Sequence, residues 1–313
     1  MGAPAIALAP GFHPGFSAHL YHADPCESPS LSSSIAKVLI NETPKKAWLA
    51  HPRLNPDFTV EHDDKFNLGD SVHDFLSSGG ERVRVIPGFT DYKKEGARIE
   101  RDKLRAVGVV PLLEHQADQV NDIVAEVGKV LTRRKIDLGH QEAVFIAEDR
   151  GILLRSMMDS FNPPWITDFK VTGINLANDF VLGSHIADLG YDLSAWFYMR
   201  VAGLVFPEWA GRLKFRWVFI EKDHPHGVRI IKADATILEM GRRKGESALG
   251  IWQKCLASDR WPHLEHMPAT VPYPNFKENA WLEREEKPDF IIGPQTMLKQ
   301  IDDRRAAEQR GEL

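Results

Sequence analysis

Cysteine is scarce in this chain of 313 residues: Cys26 and Cys255 are the only two. Two thiols cannot form a four-thiolate zinc or iron–sulfur site or a disulfide framework, so a reducing compartment is expected. Long apolar runs are missing as well. No stretch approaches the roughly 18 apolar residues that a membrane helix requires. The opening Met1-Gly2-Ala3-Pro4-Ala5-Ile6 lacks the basic start and sustained apolar core of a secretory signal. Nor does one sign of charge dominate: 39 Lys and Arg against 44 Asp and Glu leave a net charge of -5. A uniformly basic, histone-like binder is therefore excluded, whereas local basic patches are not. No internal repeat or low-complexity block is present. These absences point to a cytoplasmic protein with no membrane attachment.

What remains is ordinary globular usage, with 43% hydrophobic and 27% charged residues, which excludes disordered, collagen-like and coiled-coil classes. Residues 1–20 are rich in Ala, Pro, Gly and His without periodicity and read as a flexible lead-in. Residues 21–283 read as one domain with a helical N-terminal part, and residues 284–313 as a charged tail. From Pro294 onward this tail reads as a surface helix or a frayed end.

Ser32-Ser33-Ser34 supplies N-cap chemistry for a helix carrying Ile35, Val38 and Leu39. A second helical turn, Lys45–Ala50, is fenced by Pro44 and Pro52. The apolar spacing of Phe66, Leu68, Val72, Phe75 and Leu76 predicts an amphipathic helix over Asp64–Leu76. Val83–Ile86 reads as a strand that Pro87-Gly88 ends. A long helix is expected from about Pro111 to Leu131. The period then becomes that of strands at Ala143–Ala147, Ile152–Asp159 and Trp165–Val171. A helix at Asp192–Leu204 and a strand at Lys214–Glu221 follow. This order predicts an α/β or mixed α+β fold.

The segment from Arg155 to Lys170 carries the chemistry. With Asn162–Trp165 as a four-residue loop, residue 161 pairs with 166, 160 with 167, and Asp159 with Asp168. Directly opposed residues place their Cβ atoms about 4.5–5.5 Å apart, and like charges so placed repel unless a cation lies between them. Lys170, two residues beyond Asp168, projects from the same face. Two carboxylates and an ammonium on one surface suit a hard divalent cation and phosphoryl chemistry. Asp-x-Lys alone would equally suit an exposed surface pair. The upstream aspartate, the Pro-Pro loop and the apolar flanks favour the site. Glu142 joins Asp159's face if Glu148-Asp149-Arg150-Gly151 makes a two-residue hairpin pairing 142 with 157, and points away if the loop has three residues. His73 lies on a predicted helix, and Gly69 one turn earlier allows a close approach.

The basic run Lys93–Arg105 is either a solvated helix face or a phosphate-tracking patch. Gly241-Arg242-Arg243-Lys244-Gly245 lacks the ending of a phosphate-binding P-loop and reads as a solvated basic loop or, beside a nuclease site, a phosphate contact. His224/His226 and His263/His266 lack a fitting third zinc ligand.

Gly69-Asp70-Ser71-Val72-His73, Glu142, Asp159 and Asp168-Phe169-Lys170, in that order, resemble the PDDEXK nucleases. The closer resemblance is to the phage and prophage exonuclease VIII (RecE-like) type, related to lambda exonuclease and the RecB nuclease domain. Tyr21-His22-Ala23-Asp24, Arg98 through Leu113, Trp252-Gln253-Lys254-Cys255 and Trp261-Pro262 extend the likeness over roughly residues 20–282. The resemblance implies a restriction-endonuclease-like core, a central mixed sheet flanked by helices. It also implies a Mg2+-dependent exonuclease of linear double-stranded DNA, Mn2+ being an alternative, in phage-type recombination. Asp159, Asp168, the Phe169 carbonyl and His73 would be metal ligands. Lys170 would position the nucleophilic water, with Glu142 completing the acidic set. Arg98, Arg101, Arg105, Arg155, Ser194 and Tyr198 would contact DNA. Ser194 stands where the family's Y-D-x-Q-A helix usually carries glutamine, and it is too short for the same reach.

A structure- or site-specific endonuclease and a catalytically weak DNA-binding scaffold are the rival readings. A homo-oligomeric ring is expected, gathering basic clusters around DNA despite the negative net charge, and a phage single-strand annealing protein is the expected companion.

Overall fold

The computed structural model describes residues 7–59, 67–266, 270–286, 302–307 and 310. Among these, the strands are β1 (Gly11–His13), β2 (Leu31–Ser32), β3 (Val83–Ile86), β4 (Val110–Leu113), β5 (His140–Asp149), β6 (Ile152–Asn162), β7 (Trp165–Thr172), β8 (Lys214–Glu221) and β9 (Val228–Lys232). The helices are α1 (Ala18–His22), α2 (Ser33–Asn41), α3 (Pro44–Leu49), α4 (Asn67–Ser78), α5 (Glu95–Ala106), α6 (Glu114–Arg133), α7 (Asp179–Asp188), α8 (Tyr191–Val205), α9 (Ala235–Ser258) and α10 (Asn275–Glu285). The chain divides into two compact units, Met1–Glu265 and His266–Leu313. This division falls before the boundary at 283 read from the sequence. Most of the stretch from Pro294 lies outside the described residues, although 302–307 are helical.

The first unit is built on a mixed sheet of order β1-β5-β6-β7-β8-β9, with β2 adding in parallel to β6. Its central pair, β7 and β8, is parallel, and the outer pairs β1–β5, β5–β6, β6–β7 and β8–β9 are antiparallel. A parallel neighbour needs a crossover, and α7 with α8 supplies it. Alternation along each strand then loads both faces. One face packs Phe145, Leu154, Met158, Ile166, Phe215, Trp217 and Phe219 against helices α2, α8 and α9. The other packs Phe169, Val218 and Ile220 against Val72 of α4 and Val120, Ile123 and Val127 of α6. The expected mixed α/β architecture, a sheet flanked by helices, is present.

Several expectations hold at the residue level. Ser32 caps α2 by accepting the Ile35 amide, and the expected helical turn near Lys45–Ala50 is α3, which Pro44 opens and Thr43 caps. The expected helix beginning at Asp64 is seen from Asn67, the residues before it lying outside the described residues.

Four expectations change. Residues 11–13, read within an aperiodic lead-in, form an edge strand on β5. Pro111 does not begin a helix: Val110–Leu113 pairs in parallel with β3, and α6 starts at Glu114, where Gln116 accepts the Leu113 amide at 2.9 Å. The apolar run 110–113 serves a strand as well as it serves a helix. Gly241-Arg242-Arg243-Lys244-Gly245 is not a loop but the interior of α9. The β5–β6 turn is Arg150-Gly151, both with positive φ, so Asp149 faces Ile152 and Met157 faces Val144 rather than Glu142. Such a two-residue turn matches the strands' twist.

Candidate active site

β6 and β7 pair from Asn162–Trp165 through Phe161–Ile166 to Ser160–Thr167, the register expected from the Pro-Pro turn. Beyond that rung the ladder ends, so the expected direct pairing of Asp159 with Asp168 does not form. Asp159, next in line, turns its carboxylate across the gap and accepts the Phe169 amide on Oδ2 at 2.7 Å. A side chain thus takes the place of a ladder bond at the fork between the strands.

Side chains converge on this fork from five elements, β6 and β7 among them. His73 of α4 brings Nδ1 to 3.4 Å from Asp159 Oδ2, its ring edge-on to Phe169 at 6.2 Å. Lys170 Nζ lies 2.6 Å from Asp168 Oδ2 and donates to the Phe169 carbonyl at 3.1 Å. Its ammonium also stands 5.3 Å from the ring of Tyr191, the first residue of α8. From α2, Lys37 reaches the same ring at 5.8 Å.

The charges are strongly coupled. Burial works against ionisation of Asp159, but His73, Lys170 and the Phe169 amide hold its pKa down to about 2. Asp168 moves the other way: burial, reinforced by Asp159's charge, raises it against the pull of Lys170. Burial opposes charge on His73, yet Asp159 holds its pKa above the ordinary value. Lys170 is likewise raised, the two aspartates overcoming desolvation. Lys37 is lowered by burial and by the neighbouring Lys170. Two carboxylates pushed apart in pKa beside a retained ammonium are the pattern of an acid–base site.

The donor chemistry suits a divalent cation. Asp168 Oδ2 is buried and makes no well-directed hydrogen bond. It and the Phe169 carbonyl, two oxygens expected to bind metal, already gather around one cation, the Lys170 ammonium. Among the described residues, no group of three His, Cys, Asp or Glu side chains is closed up as a ready cage.

Glu142 stands abreast of Asp159, between the Ala143–Met158 and Gln141–Ser160 pairs, where the ladder lapses and its φ is 45°. Its carboxylate accepts from Arg82, which also donates to the buried Asp74 at 2.6 Å. It therefore belongs to a guanidinium bridge at the edge of the fork. That bridge escapes sequence reasoning because Arg82 and Glu142 are far apart in the chain. Lys37 was also missed, for want of any local motif around it; its position five residues after the capping Ser32 is the only signal.

The expected DNA contacts separate. Arg98 and Arg101 lie on α5, with Arg105 near its end; Arg98 donates to the Lys93 carbonyl and Arg101 pairs with Asp102. Arg155 is not on a DNA-facing surface. It is 4% exposed, donating to Ser30 and pairing with Asp24. Within an alternating strand a lone arginine reads as outward-facing; here a buried carboxylate from a distant loop neutralises it. Ser194 is buried and its hydroxyl donates back to the Gly190 carbonyl at 3.4 Å. Tyr198 is half-buried, accepts from Ser33 Oγ at 3.5 Å, and is held well above its usual pKa by burial. Arg242 and Arg243 pair with Glu239, and Lys244 with Asp192, so this basic trio is largely neutralised.

The sequence profile of a family described as a PDDEXK-like domain of unknown function (DUF3799) matches residues 32–267. No curated protein matches the chain. The fold is similar to that of a candidate exonuclease from Eubacterium rectale, with a TM-score of 0.55 at 15% identity, covering 85% of this chain and 97% of that one. A phage-related exonuclease from Haemophilus somnus 129PT is more distant, with a TM-score of 0.32 at 11% identity over 74% of this chain and 96% of that one. Only the first likeness bears on the fold.

Proposed function

The chain belongs to the PDDEXK-like DUF3799 family, and from that membership we propose that it is a metal-dependent nuclease degrading linear double-stranded DNA from its ends. The observation that carries this reading is the coupled Asp159–Asp168–Lys170 cluster at the fork of β6 and β7. Asp159, Asp168 and the Phe169 carbonyl, with His73 beside them, would hold Mg2+ or Mn2+, which when bound neutralises phosphoryl charge and activates water. Asp159 stays ionised at neutral pH because of its lowered pKa. Lys170 stays protonated and orients the attacking water or the scissile phosphate. Tyr191 covers the Lys170 ammonium and limits the directions from which substrate enters. A role in phage-type recombination beside a single-strand annealing protein, and assembly into a homo-oligomeric ring, belong to the same proposal. Sedimentation showing only a 35.3 kDa species with DNA present would remove the ring.

The test is digestion of linear and covalently closed duplex DNA with Mg2+, with Mn2+ and with chelator. Linear DNA is expected to disappear only with metal, and Asp159→Ala and Lys170→Ala to abolish cleavage while keeping the fold. Full activity in both variants would overturn the assignment, and cutting of closed circles would make the protein an endonuclease. A second reading, a DNA-binding scaffold, is favoured by Ser194, whose hydroxyl is spent on its own helix. Duplex binding without cleavage, and no Mg2+ or Mn2+ binding at millimolar metal, would support it.

A further inference from the structure

On the sheet face opposite Asp168 and Lys170, Trp165 opens β7 with three cations around its ring. Lys214 Nζ lies 5.6 Å, the Arg216 guanidinium carbon 4.9 Å and Lys232 Nζ 5.5 Å from the ring centroid. Three adjacent strands assemble the group. Trp165 pairs with Lys214 in register, and Arg216, two residues along β8, directly opposes Lys232 on β9. Like charges directly opposed across strands repel, and a ring quadrupole offsets only part of that.

No carboxylate of the described residues compensates. The only side-chain hydrogen bond of this group among those residues is from Arg216 Nε to Thr167 Oγ1 at 2.8 Å. Arg216 is 8% exposed, whereas Lys214 and Lys232 are exposed. Several other basic residues are matched by carboxylates: Lys244 meets Asp192, Arg200 meets Asp149, and Arg229 meets Asp179. In a chain of net charge -5, these three cations around one ring make a local positive patch.

We propose that Trp165, Lys214, Arg216 and Lys232 form a second DNA contact, a clamp on the phosphate backbone distinct from the α5 basic face. Trp165 lies three residues before Asp168 on β7, about 10 Å along the strand. DNA held there and at the fork would be gripped on two sides of the same strand. This rests on the nuclease reading, and its test separates the two.

Binding of a short blunt duplex would be measured in chelator across a salt series for the wild type, Lys214→Ala/Lys232→Ala and Lys214→Arg/Lys232→Arg. The wild-type slope of log K against log salt should shrink by about two in the alanine double variant, roughly one per lost phosphate contact. The arginine variant should retain the wild-type slope. Circular dichroism checks that each variant folds. A wild-type slope in the folded alanine variant overturns the clamp while the nuclease reading stands. If the wild type degrades no DNA with metal yet the slope shrinks, the nuclease reading falls and the clamp survives. No duplex binding by the wild type overturns the clamp outright.

Discussion

Asp24 shows how a single residue can hold two distant segments together. Its carboxylate accepts from Ser30 Oγ at 2.6 Å and the Ser30 amide at 3.0 Å, with His51 Nε2 and Arg155 each 3.3 Å away. Burial opposes its charge, but His51, Arg155 and Ser30 together lower its pKa well below the usual carboxylate range. The folded state therefore binds fewer protons than the unfolded one, where Asp titrates near about 3.9. Asp24's contribution to stability is full above that value and is lost as pH falls towards the lower folded pKa. Asp24→Asn should cost about 3–5 kcal/mol at neutral pH, because Arg155 is left buried without its counter-charge. It should also flatten the acid limb of stability, and urea titrations across pH would check both. At the fork, Lys37→Ala should lower kcat/KM by about a hundredfold, the usual scale for losing one preorganised charge, with unchanged thermal stability. Arg155 was misread and Lys37 missed for the same reason. Each has its partners at a place that only tertiary structure brings near.

Helix and strand positions were more legible than the registers between them. The β6–β7 register follows from sequence because Pro163-Pro164 permits little choice of turn. The β5–β6 register does not, since Arg150 takes a left-handed φ of 54° that its side chain does not advertise. Two glycines show the same limit at helices. A Cβ on Gly241 would meet the Asp192 carbonyl oxygen at 2.1 Å, so α9 crosses α8 backbone to backbone there. Gly241→Ala should destabilise by about 1–3 kcal/mol or more through overpacking. At Gly69 a Cβ meets nothing within 4 Å. Gly69→Ala should instead stabilise by up to about 1 kcal/mol through helix propensity. Denaturant unfolding of the two variants side by side would show opposite signs. The open space at Gly69 also bears on the expected close approach: no part of the described chain fills it.

At the scale of the whole chain, overall charge hides its distribution. The motif order Gly69–His73, Glu142, Asp159 and Asp168–Lys170 was enough to anticipate the mixed sheet, but not the fork, where a direct Asp159–Asp168 pair was expected. It could not show that Arg242–Lys244 are neutralised by carboxylates while Lys214, Arg216 and Lys232 are not. Those pairings depend on which strands lie side by side, and sequence spacing carries no record of that. Raising salt should therefore weaken DNA binding steeply despite the net charge of -5, because affinity follows local phosphate contacts.

The hydrogen bond from the Phe169 amide to Asp159 Oδ2 makes one backbone proton a resonance that reads the candidate site directly. An amide proton donated to a carboxylate shifts when that carboxylate loses its charge. With no cation present, the Phe169 resonance should titrate with a midpoint of about 2, following Asp159, and not in the ordinary aspartate range. Anything else that claims the same oxygen, whether a cation or a substrate, should move that peak before any bond in DNA is broken. Phe169 thus offers a spectroscopic view of site occupancy that is independent of turnover.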